Sequence, residues 1–191
     1  MSVTEMERDA LSTSPGTLIY NTDSKKIEAA VLSDGAPAID QSMTADRTSG
    51  NQLNATFSIN GQSFKAGVSG QLTSVDISLY QIFTGGNFTL TIYEGEGFSG
   101  TELGNVTQAF TTEDSGIQTF DLNTANIFLV AETSYTWRVS VTGSEDAAVY
   151  RSGDNYPNGT SYIFNGGSAG CCDLYFVTRV ASESLIWVPL N

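Results

Sequence analysis

Two runs of alternating apolar and polar residues between Phe64 and Glu94 constrain the fold of this chain more than any other feature. The apolar positions of the two runs are Leu72, Val75, Ile77 and Leu79, then Phe88, Leu90 and Ile92. Alternation with a period of two places one side chain of each pair in a core and the other in water, which indicates half-buried antiparallel strands. We predict a tight turn at Gly85-Gly86-Asn87 between them, because glycine adopts the positive φ that such turns require.

The same pattern returns at short intervals along the rest of the chain. We predict further strands at residues 53–59, 106–112, 117–122, 127–130, 134–142, 147–151, 160–164, 173–180 and 185–188. Asn60-Gly61 is a typical hairpin turn. Large side chains on one face of the 134–142 strand, including Trp137, suit a sandwich core. The spacing therefore predicts an all-β fold, an antiparallel two-sheet β-sandwich of jelly-roll type.

The first 50 residues have a different character. Residues 3–12 predict a short helix, since Thr4 and Glu7 form a capping-box pattern and apolar residues recur at helical spacing. Residues 17–28 predict a strand, a polar turn and a second strand. Residues 33–51 are small and polar, which indicates a linker, an arm along another subunit, or a long surface loop. We place an N-terminal anchoring and oligomerisation segment with its linker at 1–50 and the sandwich domain at 51–191.

Charge excludes several classes of partner. The chain has 21 acidic and 8 basic residues, a formal net charge of −13, and no histidine. Such a surface repels phosphate backbones and anionic lipid, so we expect neither nucleic acid nor a membrane surface as a partner. Histidine, the commonest general base and metal ligand at neutral pH, is absent. The sequence also has neither a phosphate-binding loop nor a nucleophile elbow. We expect a protein that is not an enzyme.

The segment ERDALSTSPGTLIYNTDSKKI, residues 7–27, resembles a segment common in phage tail fibres, head fibres and related surface proteins of Bacteroidetes and their phages. There, a short helix leads through a Ser-Pro-Gly turn into a hairpin. The resemblance implies a virion protein that attaches to other virion proteins through its N-terminus and associates with itself, with a trimer favoured. The candidate assembly residues lie on the apolar stripe of the predicted helix and in the strand that follows: Val3, Met6, Leu11, Leu18, Ile19 and Tyr20.

A second resemblance covers about 120 residues of the sandwich. The segments FKAGVSGQLTSVDISL, NFTLTIYEGEGFSGTELG, QTFDLNTANIFLVAETSYTWRVSV and DLYFVTRV, in this order, are similar to a bacterial extracellular jelly-roll module of the carbohydrate-binding type. The module recurs in secreted multidomain proteins and some phage fibres. The resemblance implies a binding function without enzymatic activity.

The segment from Tyr150 to Cys172 is too long and too mixed for a plain turn. Aromatic faces together with amide and carboxylate groups suit a sugar surface, and long loops on rigid scaffolds often hold function. A glycine-rich loop that packs on a neighbour is the alternative. The candidate glycan-binding residues are Tyr150, Arg151, Asp154, Asn155, Tyr156, Asn158 and Tyr162.

Carboxylates raise two further possibilities. Asp154 and Asp173 are candidate calcium ligands, although no EF-hand pattern is present; apart from calcium we expect no cofactor. The acid pairs Glu94 with Glu96 and Glu113 with Asp114 have the composition of a glycosidase site. Both pairs fall at predicted turns, where solvated turn acids explain them better.

Cys171 and Cys172 are adjacent, so they cannot close a chain loop as an ordinary structural disulfide does. The simplest arrangement has one thiol buried and the other facing out of a strand start. A vicinal disulfide and an intersubunit bridge are the alternatives.

The sequence supports two functions of different classes. The first is a non-enzymatic fibre, spike or decoration subunit located in the virion, with the sandwich facing outward and a host surface glycan as a potential ligand. The second is an extracellular adhesin or carbohydrate-binding module of a bacterial cell surface. A purely architectural sandwich is a third reading. No secretory signal pattern is visible, so we expect a mature form or release in an assembled particle.

Overall fold

A computed structural model describes residues 1–11, 17–45 and 49–190. Almost all of its regular structure is β-strand, which confirms the predicted all-β class. In chain order the elements are β1 (Ser2–Val3), α1 (Glu5–Asp9), β2 (Leu18–Asn21), β3 (Lys26–Asp34), β4 (Ala38–Met43), β5 (Ser49–Asn54), β6 (Ile59–Lys65), β7 (Gly70–Thr84), β8 (Gly86–Glu94), β9 (Glu102–Phe110), a 3-10 helix (Thr112–Asp114), β10 (Gly116–Asp121), β11 (Phe128–Leu129), β12 (Ser134–Ser140), β13 (Asp146–Arg151), β14 (Ser161–Ile163), β15 (Gly167–Ala169), β16 (Phe176–Ala181) and β17 (Glu183–Pro189).

The chain forms two units, and the first is built from both ends of the described chain. The first unit contains Met1–Ala36 and Ser182–Asn191, and the second contains Pro37–Ala181. This division differs from the predicted one near Gly50. β17 pairs with β3 over seven residues, which places the last strand in the first unit, whereas β4 pairs with β16 and belongs to the second.

The first unit is a four-stranded sheet in the order β1-β2-β3-β17 with α1 beside it. The predicted capping box is present: Glu7 N–H donates to Thr4 Oγ1 and Thr4 N–H donates to Glu7 Oε2, at 3.3 and 2.8 Å. The helix ends earlier than predicted, at Asp9, and the Ser14-Pro15-Gly16 turn lies outside the described residues. β2 and β3 form the predicted strand, turn and strand, in which Asn21 Oδ1 accepts the N–H groups of Asp23 and Ser24.

The second unit consists of two antiparallel sheets that share one core. The first sheet has the order β4-β16-β7-β13-β5, with β10 and β11 also paired to β7. The second has the order β15-β14-β6-β12-β8-β9. Alternate residues of both sheets point into a common cluster whose largest fully buried side chains are Trp137, Phe64, Phe88, Phe120 and Phe176. This is the predicted two-sheet sandwich; the jelly-roll order of its strands stays a prediction.

Two predicted turns are not turns of the expected kind. The residues around Gly85 carry the chain from β7 in one sheet to β8 in the other, so the two runs do not form a hairpin. Asn60 and Gly61 lie inside β6, opposite Val139 and Arg138. The chain turns earlier, where Asn54 Oδ1 accepts the N–H groups of Thr56 and Phe57.

The predicted linker at 33–51 is also different in the structure, because much of it forms β4 and the start of β5. Both are outer strands of the β7 sheet, and among the described residues no strand pairs with the other side of either. Backbone hydrogen bonds to β16 and β13 fix these strands, and Met43 of β4 and Leu53 of β5 are buried in the core. Small polar residues therefore do not indicate a linker here. Residues 46–48 lie outside the described part of the chain.

Candidate functional site

The structure divides the seven predicted glycan-binding residues between two sheets and a connection. Tyr150 and Arg151 end β13 in the β7 sheet, and Tyr162 lies on β14 in the β6 sheet. Between these strands lie Asp154, Asn155, Tyr156 and Asn158. The residues therefore do not converge on one place.

Asp173 fixes the connection that follows β13. Its side chain is 1% exposed. Oδ2 accepts the backbone N–H groups of Asn155 and Tyr156, both at 2.7 Å, and Oδ1 accepts Gln62 Nε2 at 2.9 Å. Gln62 Oε1 in turn accepts the N–H of Leu174 at 3.1 Å. The carboxylate is a structural acceptor for three donors, and without it the N–H of Tyr156 and Nε2 of Gln62 would be buried without a partner.

This arrangement does not fit the predicted calcium site. The oxygens of Asp173 face N–H donors, whereas a cation needs lone pairs that no donor occupies. Asp154 is exposed to solvent. Within residues 1–11, 17–45 and 49–190, no three side chains of the metal-binding types converge.

Tyr156 belongs to the core and does not present its ring to solvent. The ring packs edge-to-face on Phe176, with centroids 5.1 Å apart. Its hydroxyl donates to Gln41 Oε1 at 2.8 Å and accepts the N–H of Lys65 at 3.4 Å. Burial raises the pKa of Tyr156 to about 12. A sugar cannot stack on this ring without unfolding the connection.

Tyr150 instead pairs with a residue that the sequence analysis did not select. Its ring lies 4.3 Å from the ring of Tyr80, centroid to centroid. Tyr80 sits at a β-bulge, because Ala148 pairs with Gln81 while the next residue, Val149, pairs with Leu79. Leu79 is buried and Tyr80 is exposed. A bulge often re-aims a side chain, and here it leaves a tyrosine pair at the surface.

A polar groove lies farther along the same face of β7. Arg179 Nη1 and Thr119 Oγ1 both donate to the Asp76 carboxylate, each at 2.7 Å. Beside them is a groove of about 260 Å³, lined by Pro37, Thr73, Ser74, Thr119, Asp121, Asn123 and Arg179. Asp76 and Tyr80 are four residues apart on one face, or about 13 Å. We call the surface formed by Asp76, Tyr80, Thr119, Tyr150 and Arg179 the outer β7 face.

Tyr162 takes part in a separate aromatic cluster on the other sheet. Phe98 lies between Tyr93 and Tyr162, at centroid distances of 5.8 and 5.2 Å. The Arg138 guanidinium lies 4.9 Å from the Tyr93 ring centre. A Cβ on Gly61 would come within 2.8 Å of the Phe98 ring. The chain's own Phe98 therefore covers the surface that Tyr162 was predicted to offer to a ligand.

The acid pairs at the predicted turns have structural or solvated roles. Asp114 Oδ2 accepts the N–H and the hydroxyl of Thr111 at 2.7 and 2.8 Å, which caps the 3-10 helix. The backbone N–H of Thr111 holds the pKa of Asp114 below its ordinary value. Glu94, Glu96 and Glu113 are exposed.

The six predicted assembly residues fall into two groups. Val3 and Ile19 are buried, and Leu11 is half-buried. Met6, Leu18 and Tyr20 are exposed. The exposed residues of β2 point to one side of the sheet, since its residues alternate between exposed and buried.

Comparison with models of known protein families gave no match, and neither did comparison with curated protein sequences. In the part of the chain that the structure describes, no helix has the length and apolar character needed to cross a bilayer.

Proposed function

We propose that this chain is a non-enzymatic structural subunit of a virus particle: a fibre, spike or decoration protein. Its first unit associates with further copies of the chain and with neighbouring virion proteins, and its sandwich is displayed outward. The main support is an exposed apolar face on the sheet of the first unit. The resemblance of residues 7–27 to phage fibre segments adds to this support.

The apolar face is built from cross-strand neighbours. Leu18 of β2 lies opposite Ala29 of β3, which lies opposite Val188 of β17. Tyr20 lies opposite Ile27, and the N–H of Leu190 donates to the Ile27 carbonyl. Leu18 and Ile27 are 55% and 51% exposed. We call Leu18, Tyr20, Ile27, Ala29, Val188 and Leu190 the apolar face.

The opposite side of this sheet is already covered. Glu28, which is buried, accepts hydrogen bonds from Arg8 of α1, from Asn21 and from Ser24, at 3.1, 3.0 and 3.0 Å. The helix therefore packs by an ion pair on one side, while the apolar face on the other side stays in water. Contiguous exposed apolar surface of this kind usually marks an interaction site.

The energetics favour self-association through this face. Burying a Leu or Ile side chain that is half exposed contributes about 1 kcal/mol, and the face offers six apolar residues per copy. Three copies arranged around a three-fold axis bring the same residues together at that axis, so no complementary partner has to be assumed. The trimer that phage fibres favour is our expected state.

Light scattering of two matched, charge-neutral variants tests the proposal. Leu18→Lys combined with Ile27→Glu places opposite charges at diagonal positions of the apolar face and leaves the net charge at −13. We expect the unaltered chain to have about three times the 20.3 kDa chain mass and this variant to be a monomer. Val68→Lys combined with Val130→Glu changes two exposed apolar residues of the second unit and should leave the mass unchanged.

Circular dichroism verifies that both variants keep their β-structure. A monomeric unaltered chain at all concentrations would refute self-association. A trimer that survives the two charges on the apolar face would show that assembly uses another surface.

A second candidate function is glycan binding, either by a fibre tip or by a bacterial adhesin. The outer β7 face favours it, because the exposed Tyr80 and the half-buried Tyr150 share this face with the ion pair of Asp76 and Arg179. Tyr80→Ala should abolish binding to a glycan array, whereas Tyr162→Ala, in the aromatic cluster of the other sheet, should not. Binding that persists in Tyr80→Ala would exclude the outer β7 face.

A further inference from the structure

Two neighbouring thiols lie at the wall of a pocket in the second unit. The pocket has a volume of about 280 Å³ and is lined by Ser49, Arg151, Ser152, Gly153, Cys171 and Cys172. Cys171 is exposed, whereas Cys172 is 5% exposed. One thiol therefore faces out and one faces in, as the simplest prediction had it, although the next strand begins only at Phe176.

The two sulfur atoms are in contact with each other, at 2.8 Å. Because the residues are consecutive, their Cα atoms stay about 3.8 Å apart across the peptide bond. No movement of distant chain segments is needed to bring the sulfurs together. Because Cys171 is exposed, a small disulfide in solution can reach its sulfur first. The sulfur of Cys172 then lies in contact with the mixed disulfide formed on Cys171.

Arg151 lies beside the inner thiol. Its Nη1 is 3.6 Å from Cys172 Sγ, and its Nε donates to Ser49 Oγ at 2.7 Å, which fixes the guanidinium at the pocket wall. Burial raises the pKa of the Cys172 thiol and the Cys171 thiol raises it further, while Arg151 acts in the opposite direction. A guanidinium in this position stabilises the Cys172 thiolate when it forms.

We propose that Cys171 and Cys172 form a reactive dithiol that reduces small disulfides and closes to a vicinal disulfide. First, the Cys171 thiolate attacks one sulfur of an external disulfide RSSR; a Cys171–SR bond forms, the S–S bond of RSSR breaks, and RS⁻ leaves and takes up a proton. Second, Cys172 releases its proton to water and its thiolate attacks Cys171 Sγ. The Cys171–Cys172 bond forms and the second RS⁻ leaves. Two thiols are oxidised, and one disulfide is reduced to two thiols.

We expect the disulfide between Cys171 and Cys172 to be readily reduced again. Structural disulfides usually join Cα atoms about 4.4 to 6.8 Å apart, and shorter separations make the bond more reducible. The site is therefore a place of covalent modification and not a cross-link that stabilises the fold. The inference needs only the folded second unit, so it does not depend on the proposed function.

Intact-mass spectrometry of the full chain after incubation with glutathione disulfide tests the proposal. We expect the unaltered chain to lose two hydrogen atoms and to keep no glutathione. Cys172→Ser should keep one glutathione on Cys171, because the second step is blocked. Cys171→Ser should stay unmodified, because its remaining thiol is buried.

Arg151→Gln tests the second step separately. Loss of the guanidinium removes an interaction that lowers the pKa of the Cys172 thiol, so a smaller fraction of Cys172 is thiolate at neutral pH. We therefore expect the glutathione adduct of this variant to persist longer than that of the unaltered chain before the ring closes.

Three results would overturn the proposal. A retained glutathione on the unaltered chain would show that the ring does not close, and an unmodified chain would show that Cys171 does not react. A disulfide-linked dimer on a non-reducing gel would show that the cysteines react between chains. Each result comes from the unaltered chain, so the test does not depend on whether the serine variants fold.

Discussion

Asp173→Asn tests whether one carboxylate holds the connection after β13. Asp173 accepts three N–H donors, from Asn155, Tyr156 and Gln62. An asparagine keeps one oxygen for the two backbone donors but places an NH₂ group opposite Gln62 Nε2. Gln62 cannot turn its amide without losing the hydrogen bond from Leu174 N–H to its Oε1. Two donors therefore face each other in a site that excludes water.

The expected cost is about 3 kcal/mol. A buried donor without an acceptor costs about 1 to 3 kcal/mol, and the hydrogen bonds that remain lose the contribution of a charged acceptor, about 0.5 to 1 kcal/mol each. Equilibrium unfolding in urea measures the loss as a lower midpoint. Asp154→Asn is the matched control, because Asp154 is exposed in the same connection; its effect should stay within about 0.5 kcal/mol.

A second substitution should recover part of the loss. In the Asp173→Asn background, Gln62→Glu supplies a carboxylate that accepts both the new NH₂ group and the N–H of Leu174. We expect this to restore about 1 to 2 kcal/mol, whereas Gln62→Glu alone places two carboxylates in contact and destabilises the fold. A double-mutant cycle gives the coupling energy. Additive effects of the two substitutions would refute the proposed hydrogen-bond arrangement.

Two further predictions concern pH. Burial alone would raise the pKa of Glu28, but hydrogen bonds from Arg8, Ser24 and Asn21 outweigh it and hold the pKa below its ordinary value of 4.5. The ionised Glu28 therefore stabilises the fold fully at pH values above 4.5, and this stabilisation is lost as pH falls through the lower pKa of the folded state. We expect Glu28→Gln to weaken the decrease of the unfolding midpoint at acid pH. Tyr156, with its pKa raised from 10.0 to about 12, keeps a proton that the unfolded chain releases, so stability falls as pH rises from about 10 to 12. Tyr156→Phe should remove the loss of stability between about pH 10 and 12. It should also cost about 1 kcal/mol of stability at neutral pH, since the hydrogen bond to Gln41 is lost. If the variant lost stability at alkaline pH as the unaltered chain does, Tyr156 would not be the group responsible.

The strand positions and the helix cap were predictable from the sequence, because both depend on residues that are close together in the chain. The period of two located most strands of the sandwich, because inward residues such as Val75 and Ile77 must be apolar wherever the sheet contacts the core. The capping box at Thr4 and Glu7 was equally predictable, since both partners lie within one helical turn.

Long-range contacts set the limits of the prediction. Asn60-Gly61 has the composition of a turn, yet Gly61 lies in a strand where the Phe98 ring approaches its backbone. Asp173 is a polar residue in a predicted strand, and only the fold brings Asn155, Tyr156 and Gln62 to it. The outer β7 face was missed because Tyr80 occupies a bulge, which no period-two pattern specifies.

The pairing of β17 with β3 has a consequence for the timing of synthesis. β3 is made before any strand of the sandwich, but its partner β17 is made after all of them. The sandwich can therefore fold as it leaves the ribosome, while the first unit waits for its fourth strand. Val188 and Leu190 complete the apolar face only at that late stage. In a nascent chain the apolar face, which we propose for self-association, therefore lacks two of its six residues until the sandwich has been synthesised.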